Sequence, residues 1–235
     1  MIFIKEKKKK VWIQILILII LVILLIFIII ISRKATIISS LESKLQGYQQ
    51  QNNIYSRTTF ESQVDMNSLK IQSFEIYYKD GVEKDVITSA DNNTKIIQYV
   101  YEDKIKIYSE KNGNTEFERE NDGGWSNHLI LSSATSSDNL FDLFYNSIVT
   151  SIKTENLDGT DCYVLTSKHN SSWLYDENCK EIQVYVEKDT GLVKQVKNIL
   201  EVDGQEKEDI RTSEYSFGTV TDADITEPKI NTQAK

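Results

Sequence analysis

Residues 184–196 read VYVEKDTGLVKQV. Apolar residues at a spacing of two, on either side of Asp189-Thr190-Gly191, predict two short strands folded about that turn. Ile182, Val184 and Val186 then share one face of the first strand. A hairpin alone is not a fold, so the question is which sheet it joins.

The neighbouring segments answer in the same pattern. Upstream lies DGTDCYVLTS, and downstream lie LVKQVKNILEVDG and EDIRTSEYSFGTV. Pro228, the one proline, marks the end of ordered strand. Toward the N-terminus, IQSFEIYYKDGVEKDVIT alternates Phe74, Ile76 and Tyr78 before Asp80-Gly81, a strong hairpin turn. KIIQYVYEDKIKIYSEKNGNTEFERENDGGW repeats this, with turn signals at Asn112-Gly113 and Asp122-Gly123-Gly124. The sum is an antiparallel meander with one face toward a core.

Two helical patterns interrupt it. Ile37, Ile38, Leu41, Leu45 and Tyr48 predict a helix over 36–50 whose apolar stripe packs on the domain, with a membrane-continuous stalk as the alternative. A second helix is predicted over 138–153, capped by Ser137 or Asp138, with Leu140, Phe141, Phe144, Ile148 and Ile152 on one face. A helix cannot enter an antiparallel ladder and must cover a sheet face. The fold class is therefore α+β: an N-terminal transmembrane helix plus a curved antiparallel half-barrel sheet with helices in its concave face.

The apolar run from Val11 to Ile31 is long enough to span a bilayer. It is too long for the apolar part of a cleavable signal, and Ser32-Arg33-Lys34-Ala35 is a poor cleavage site. Lys5 and Lys7 to Lys10 precede it and only Arg33 and Lys34 follow closely, so the tail is expected inside and the rest outside. Five lysines and one glutamate give residues 1–32 a net +4, so the chain's −8 leaves −12 for the exterior part. That excludes the basic face of a nucleic-acid binder. The expected organisation is a cytoplasmic basic tail (1–10), a signal anchor (11–32), a juxtamembrane helix (33–53), an extracytoplasmic half-barrel (54–230) and a flexible tail (231–235).

The C-terminal third, from GTDCYVLTS through the DTGL hairpin to the final ITEP, resembles the lipoprotein carrier (LolA-like) superfamily. It looks most like membrane-anchored, uncharacterised Gram-positive members. The resemblance covers roughly residues 36–230, and its motifs are turns and strand ends, which carry fold better than activity. It implies a hydrophobic concavity for an acyl chain, a lipid or a lipoprotein. Ile182, Val184 and Val186 on the sheet, with Phe141, Phe144 and Ile148 on the second helix, are the candidate lining. A tethered chain departs from carriers that shuttle freely, which argues against long-range ferrying.

Catalytic constellations are thin. His128 and His169 are the only histidines, and both sit in polar turn sequences. Asp222-Ala223-Asp224 with Glu227 lacks the glycine-punctuated spacing of a calcium loop. Cys162 and Cys179 are a candidate disulfide. However, they would stand at opposite ends of neighbouring strands unless the loop through 169–177 folds back. Trp125, Trp173, Tyr163 and Tyr185 could line a cavity or pack as ordinary core. The Asn170-Ser171-Ser172 sequon matters only in a glycosylating pathway. The expectation is a non-enzymatic, single-pass membrane protein with no cofactor and no metal. It would bind a hydrophobic ligand, or else serve as an envelope sensor or interaction module with a membrane partner.

Overall fold

The computed structural model describes residues 2–62, 71–90, 94–109, 115–120, 140–168 and 179–228. One continuous helix, α1 (Ile2–Gln49), replaces the separate anchor and juxtamembrane helices expected from the sequence. The reason is that no glycine or proline occurs before Gly47, so nothing breaks the helix where the apolar run ends. Its environment changes there instead. The large apolar side chains from Trp12 to Ile30 are all 43–71% exposed. Ile31, Ile38, Leu41 and Leu45 are buried, at the three-, four- and seven-residue spacings of one helix face.

Eleven strands form one antiparallel sheet: β1 (Asn53–Ser62), β2 (Ile71–Lys79), β3 (Val82–Ser89), β4 (Lys95–Val100), β5 (Lys104–Ser109), β6 (Thr115–Glu120), β7 (Thr150–Leu157), β8 (Thr160–Ser167), β9 (Cys179–Glu187), β10 (Val193–Val202) and β11 (Gln205–Phe217). The order is β6-β5-β4-β3-β2-β1-β11-β10-β9-β8-β7. Each half is thus a meander of sequence neighbours, and the β1–β11 pairing joins them, with Ile54 opposite Phe217 and Phe60 opposite Arg211. Three Asp-Gly pairs make the tight turns. Asp80-Gly81, Asp158-Gly159 and Asp203-Gly204 all have positive φ at both residues, as two-residue hairpins that match strand twist require.

The second helix, α2 (Leu140–Val149), is shorter than its periodicity predicts. Ile152, expected on its face, lies in β7. β7 is an edge strand paired only with β8, so most of its side chains remain exposed and polar. The last strand ends at Phe217, before Gly218-Thr219-Val220. The Asn112-Gly113 and Asp122-Gly123-Gly124 turns and the Ser137 or Asp138 cap lie outside the described residues.

The C-terminal half of α1 lies on one sheet face. Leu41 packs with Leu165, Ile182, Val184, Val186 and Val193, while Leu45 packs with Ile54, Ile76 and Leu192. Tyr48 closes the end against Phe217, ring centroids 4.8 Å apart. The Asp189-Thr190-Gly191 turn is folded against the helix. Gly191 N–H donates to Glu187 O (2.9 Å), Thr190 Oγ1 donates to Glu187 Oε2 (2.7 Å), and Lys44 Nζ reaches Lys188 O (2.5 Å).

The opposite face is crossed by residues 218–228. Asn53 holds Val220 by two bonds, Nδ2 to O (2.8 Å) and N to Oδ1 (2.9 Å). Further along, Lys84 Nζ donates to Asp224 O (2.7 Å) and Tyr99 Oη to Thr226 O (2.8 Å). Glu227 then accepts from Tyr101 Oη, Lys106 Nζ and Tyr108 Oη at 2.5–2.8 Å. This strap ties the chain end across β1 to β5, beyond the last strand.

Candidate functional site

The sheet face expected to bind ligand is filled. Ile182, Val184 and Val186 do share one face, but they are 6%, 4% and 0% exposed beneath Leu41, with Ile37 packed beside them. They are core residues covered by the chain's own helix, not the lining of an open concavity. Tyr163 joins the edge of the same core. Tyr185, one residue out of phase, takes the other face.

The expected role of α2 is also corrected. Phe144 is 51% exposed and Ile148 42%, so neither covers the sheet. The side chain of Phe141 lies outside the described residues. α2 packs on α1 instead, where α1 passes from its exposed apolar run to its buried stripe. Lys34 Nζ pins the junction by donating to Thr150 O (2.7 Å), just after α2 ends.

Between the two helices runs an open cleft of about 330 Å³, within the usual range for a small-ligand site. Phe27, Ile28, Ile31 and Ala35 line it from α1, and Leu143 and Phe144 from α2. Among the described residues, Ser32 is the only polar one at its wall. Its described walls offer no charge or convergent donors to a polar ligand. It suits a hydrocarbon chain, which needs only displaced water and close contact. Of the expected lining residues whose side chains are described, only Phe144 belongs to it. Nothing local in the sequence announces the cleft, because its two walls lie more than a hundred positions apart.

Polar groups elsewhere have other work. On the α1-facing side of the sheet, Glu83 and Asp85 are 6% and 3% exposed. Gln98 Nε2 reaches Asp85 Oδ2 at 3.4 Å, while Glu83 Oε2 and Asp85 Oδ1 have no hydrogen-bond partner among the described residues. Burial, and then the charge of Asp85, push Glu83 up to about 8. Asp85 is also raised, chiefly by burial. Glu227 goes the other way: burial alone would raise it, but bonds from Lys106, Tyr101 and Tyr108 lower it to about 2.

The acidic residues of the strap are engaged by the protein itself. Asp222 pairs with Lys79, and Asp224 accepts from Thr221 N (2.8 Å) and Oγ1 (2.7 Å). Among the described residues no cluster of three His, Cys, Asp or Glu side chains could hold a metal. Cys162 and Cys179 are not joined in a disulfide. Cys162 faces Glu187 and Cys179 faces Leu200, so they belong to opposite ends of β9, as the strand register anticipates. His128, His169, Trp125 and Trp173 lie outside the described residues.

No family model matches the sequence, and no curated protein matches it. In fold the chain is similar to the Mycobacterium tuberculosis lipoprotein LppX, at 16% identity and a TM-score of 0.45, over 76% of this chain and 93% of that one. It is similar to an uncharacterised conserved protein of Thermus thermophilus at 9% identity and a TM-score of 0.46, over 81% and 94% of the two chains. A LolA superfamily protein of Nitrosomonas europaea matches at 8% identity and a TM-score of 0.31, over 79% and 97%.

Proposed function

We propose that the chain is a membrane-anchored extracytoplasmic module that holds a hydrophobic ligand, an acyl chain of a lipid or lipoprotein, in the α1–α2 cleft, and that it is not an enzyme. The observation behind this reading is the position of the cleft. Its apolar walls begin at Phe27 and Ile28, inside the exposed run, and end at Ala35, beside the folded domain. Residues 12–30 extend over roughly 28 Å as a helix, close to the bilayer's hydrocarbon thickness of about 30 Å. An anchored chain therefore opens the cleft at the lipid surface. The lysine-rich tail supports a domain outside.

The full chain, extracted in mild detergent from its own membranes, is the material for the test, because Ile31, Ile38, Leu41 and Leu45 belong to the core and a truncated domain would lose them. Native mass spectrometry should show a retained lipid. Ala35→Trp, which fills the cleft, should lose it while the melting profile is kept. A wild-type chain free of lipid, or an equal load on the filled variant, overturns the cleft as the site.

A second reading, an interaction module without lipid transfer, is favoured by the sealing of Ile182, Val184 and Val186 under α1. A co-purifying protein in place of lipid would decide for it.

A further inference from the structure

α2 is inside out. Among its described side chains, Asn146 and Ser147 are buried, at 3% and 0% exposure, whereas Phe144, Tyr145 and Ile148 are 51%, 42% and 42% exposed. Ser147 Oγ satisfies itself inside the helix by donating to Leu143 O (2.6 Å). A helix on the surface of a water-soluble domain shows the reverse arrangement, with its apolar stripe on the core. Three large apolar or aromatic side chains facing outward on ten residues imply an apolar surrounding.

The place of α2 along α1 identifies that surrounding. Leu143 and Phe144 share a cleft with Phe27 and Ile28, which lie four and three residues inward of Ile31, the first buried residue among those described. At 1.5 Å per residue that is roughly 5–6 Å toward the interior of the apolar run. Helices that lie along a membrane surface bury their apolar face to about 5–10 Å. Tyr145 supplies an amphipathic ring of the kind that favours the headgroup level. Arg33, exposed just past the run, stands where an anionic headgroup would meet it.

We propose that α2 lies in the outer leaflet of the bilayer as an in-plane helix, with Phe144, Tyr145 and Ile148 against lipid, so that the domain touches the membrane at two points and the cleft opens into the leaflet itself. This rests on the reading that α1 spans the membrane. The two contacts fix the domain's rotation about α1, which a single helix leaves free. They also make bilayer lipid the source of any acyl chain that enters.

The test is photocrosslinking of the full chain reconstituted into phosphatidylcholine–phosphatidylglycerol vesicles. A photoreactive residue is placed singly as Ile20→p-benzoylphenylalanine in the apolar run, as the same change at Phe144 and Ile148, and at Thr154 on the exposed edge strand. Lipid adducts are expected at 20, 144 and 148 and not at 154. Adducts at 20 without any at 144 or 148 overturn the in-plane helix and leave the anchor standing. No adduct at 20 removes the span, and the proposal falls with it. Adducts at 154 as well mean that the whole domain face meets lipid, which also overturns the specific role of α2. All four positions are exposed, so none of the changes disturbs the core.

Discussion

The backbone of α1 at Leu41 leaves no room for a side chain on Gly191: a Cβ built there would stand 2.3 Å from the Leu41 carbonyl oxygen. The same glycine has φ +76°, a conformation that other residues adopt at a cost of about 1–3 kcal/mol. The turn between β9 and β10 is therefore both a hairpin and the seat of the helix. Its glycine serves two demands at once.

Gly191→Ala should accordingly destabilise the chain far more than Gly204→Ala. Gly204 has φ +74° but nothing within 4 Å of its missing Cβ, so it isolates the backbone cost from the collision. Thermal unfolding of the two variants in the same detergent measures the difference. Equal losses would mean that the helix does not rest on the turn.

Leu41→Ala should cost about 2–5 kcal/mol, as deletion of a buried leucine does. Leu41 is 5% exposed and packs on β8, β9 and β10, whereas Ile23 is 59% exposed in the apolar run. Ile23→Ala should leave unfolding of the sheet unchanged. Comparable effects at both positions would deny the change of role along α1.

The stripe of α1 and the DTGL hairpin were legible in the sequence because each obeys one period over several turns or residues. β7 was not, because Ile148 and Ile152 stand four apart and so extend a helical pattern into an edge strand whose other residues are polar. The burial of Glu83 and Asp85 was equally silent. In Val82-Glu83-Lys84-Asp85-Val86 both faces carry charge, so alternation does not reveal which is covered. Glu227 near the chain end gave no sign of the three donors that the β4–β5 hairpin brings to it.

Phe144→Ala should change stability by only about 0.5 kcal/mol or less, the usual range for an exposed site. This reverses the expectation that Phe144 covers the sheet. Chemical denaturation of the full chain checks it, with Ile31→Ala as the buried comparison. A loss as large as that of Ile31→Ala would mean that α2 packs inward.

Glu227→Gln should loosen the strap by about 1–2 kcal/mol. Bonds to a charged group are worth more than neutral ones, but Glu227 is 31% exposed and part of that is screened. Its folded pKa is depressed from 4.5 to about 2. The wild-type contribution is therefore full above about pH 4.5 and lost as the pH falls toward 2, and the variant should lack that acid limb. Amide exchange across residues 218–228 reads the strap directly. Unchanged exchange in the variant would place the restraint elsewhere, on Asn53 or Lys84.

Glu83 and Asp85 make the opposite limb. Both carboxyls are held above their ordinary values, so the folded chain binds protons more tightly than the unfolded one. By linkage the pair's stabilising share is full below about pH 4.5, the ordinary Glu value, and is lost as the pH rises through about 8. Physically, two buried carboxyls two residues apart on one strand face share a site that tolerates one charge poorly and two worse. Glu83→Gln keeps the shape and removes a charge. It should be neutral to folding near pH 4.5 and stabilising above neutrality, leaving the smaller slope due to Asp85. Melting temperatures between pH 4.5 and 9 for both chains give the answer. Parallel curves would mean that Glu83 ionises freely in the folded state and that water, not protein, surrounds it.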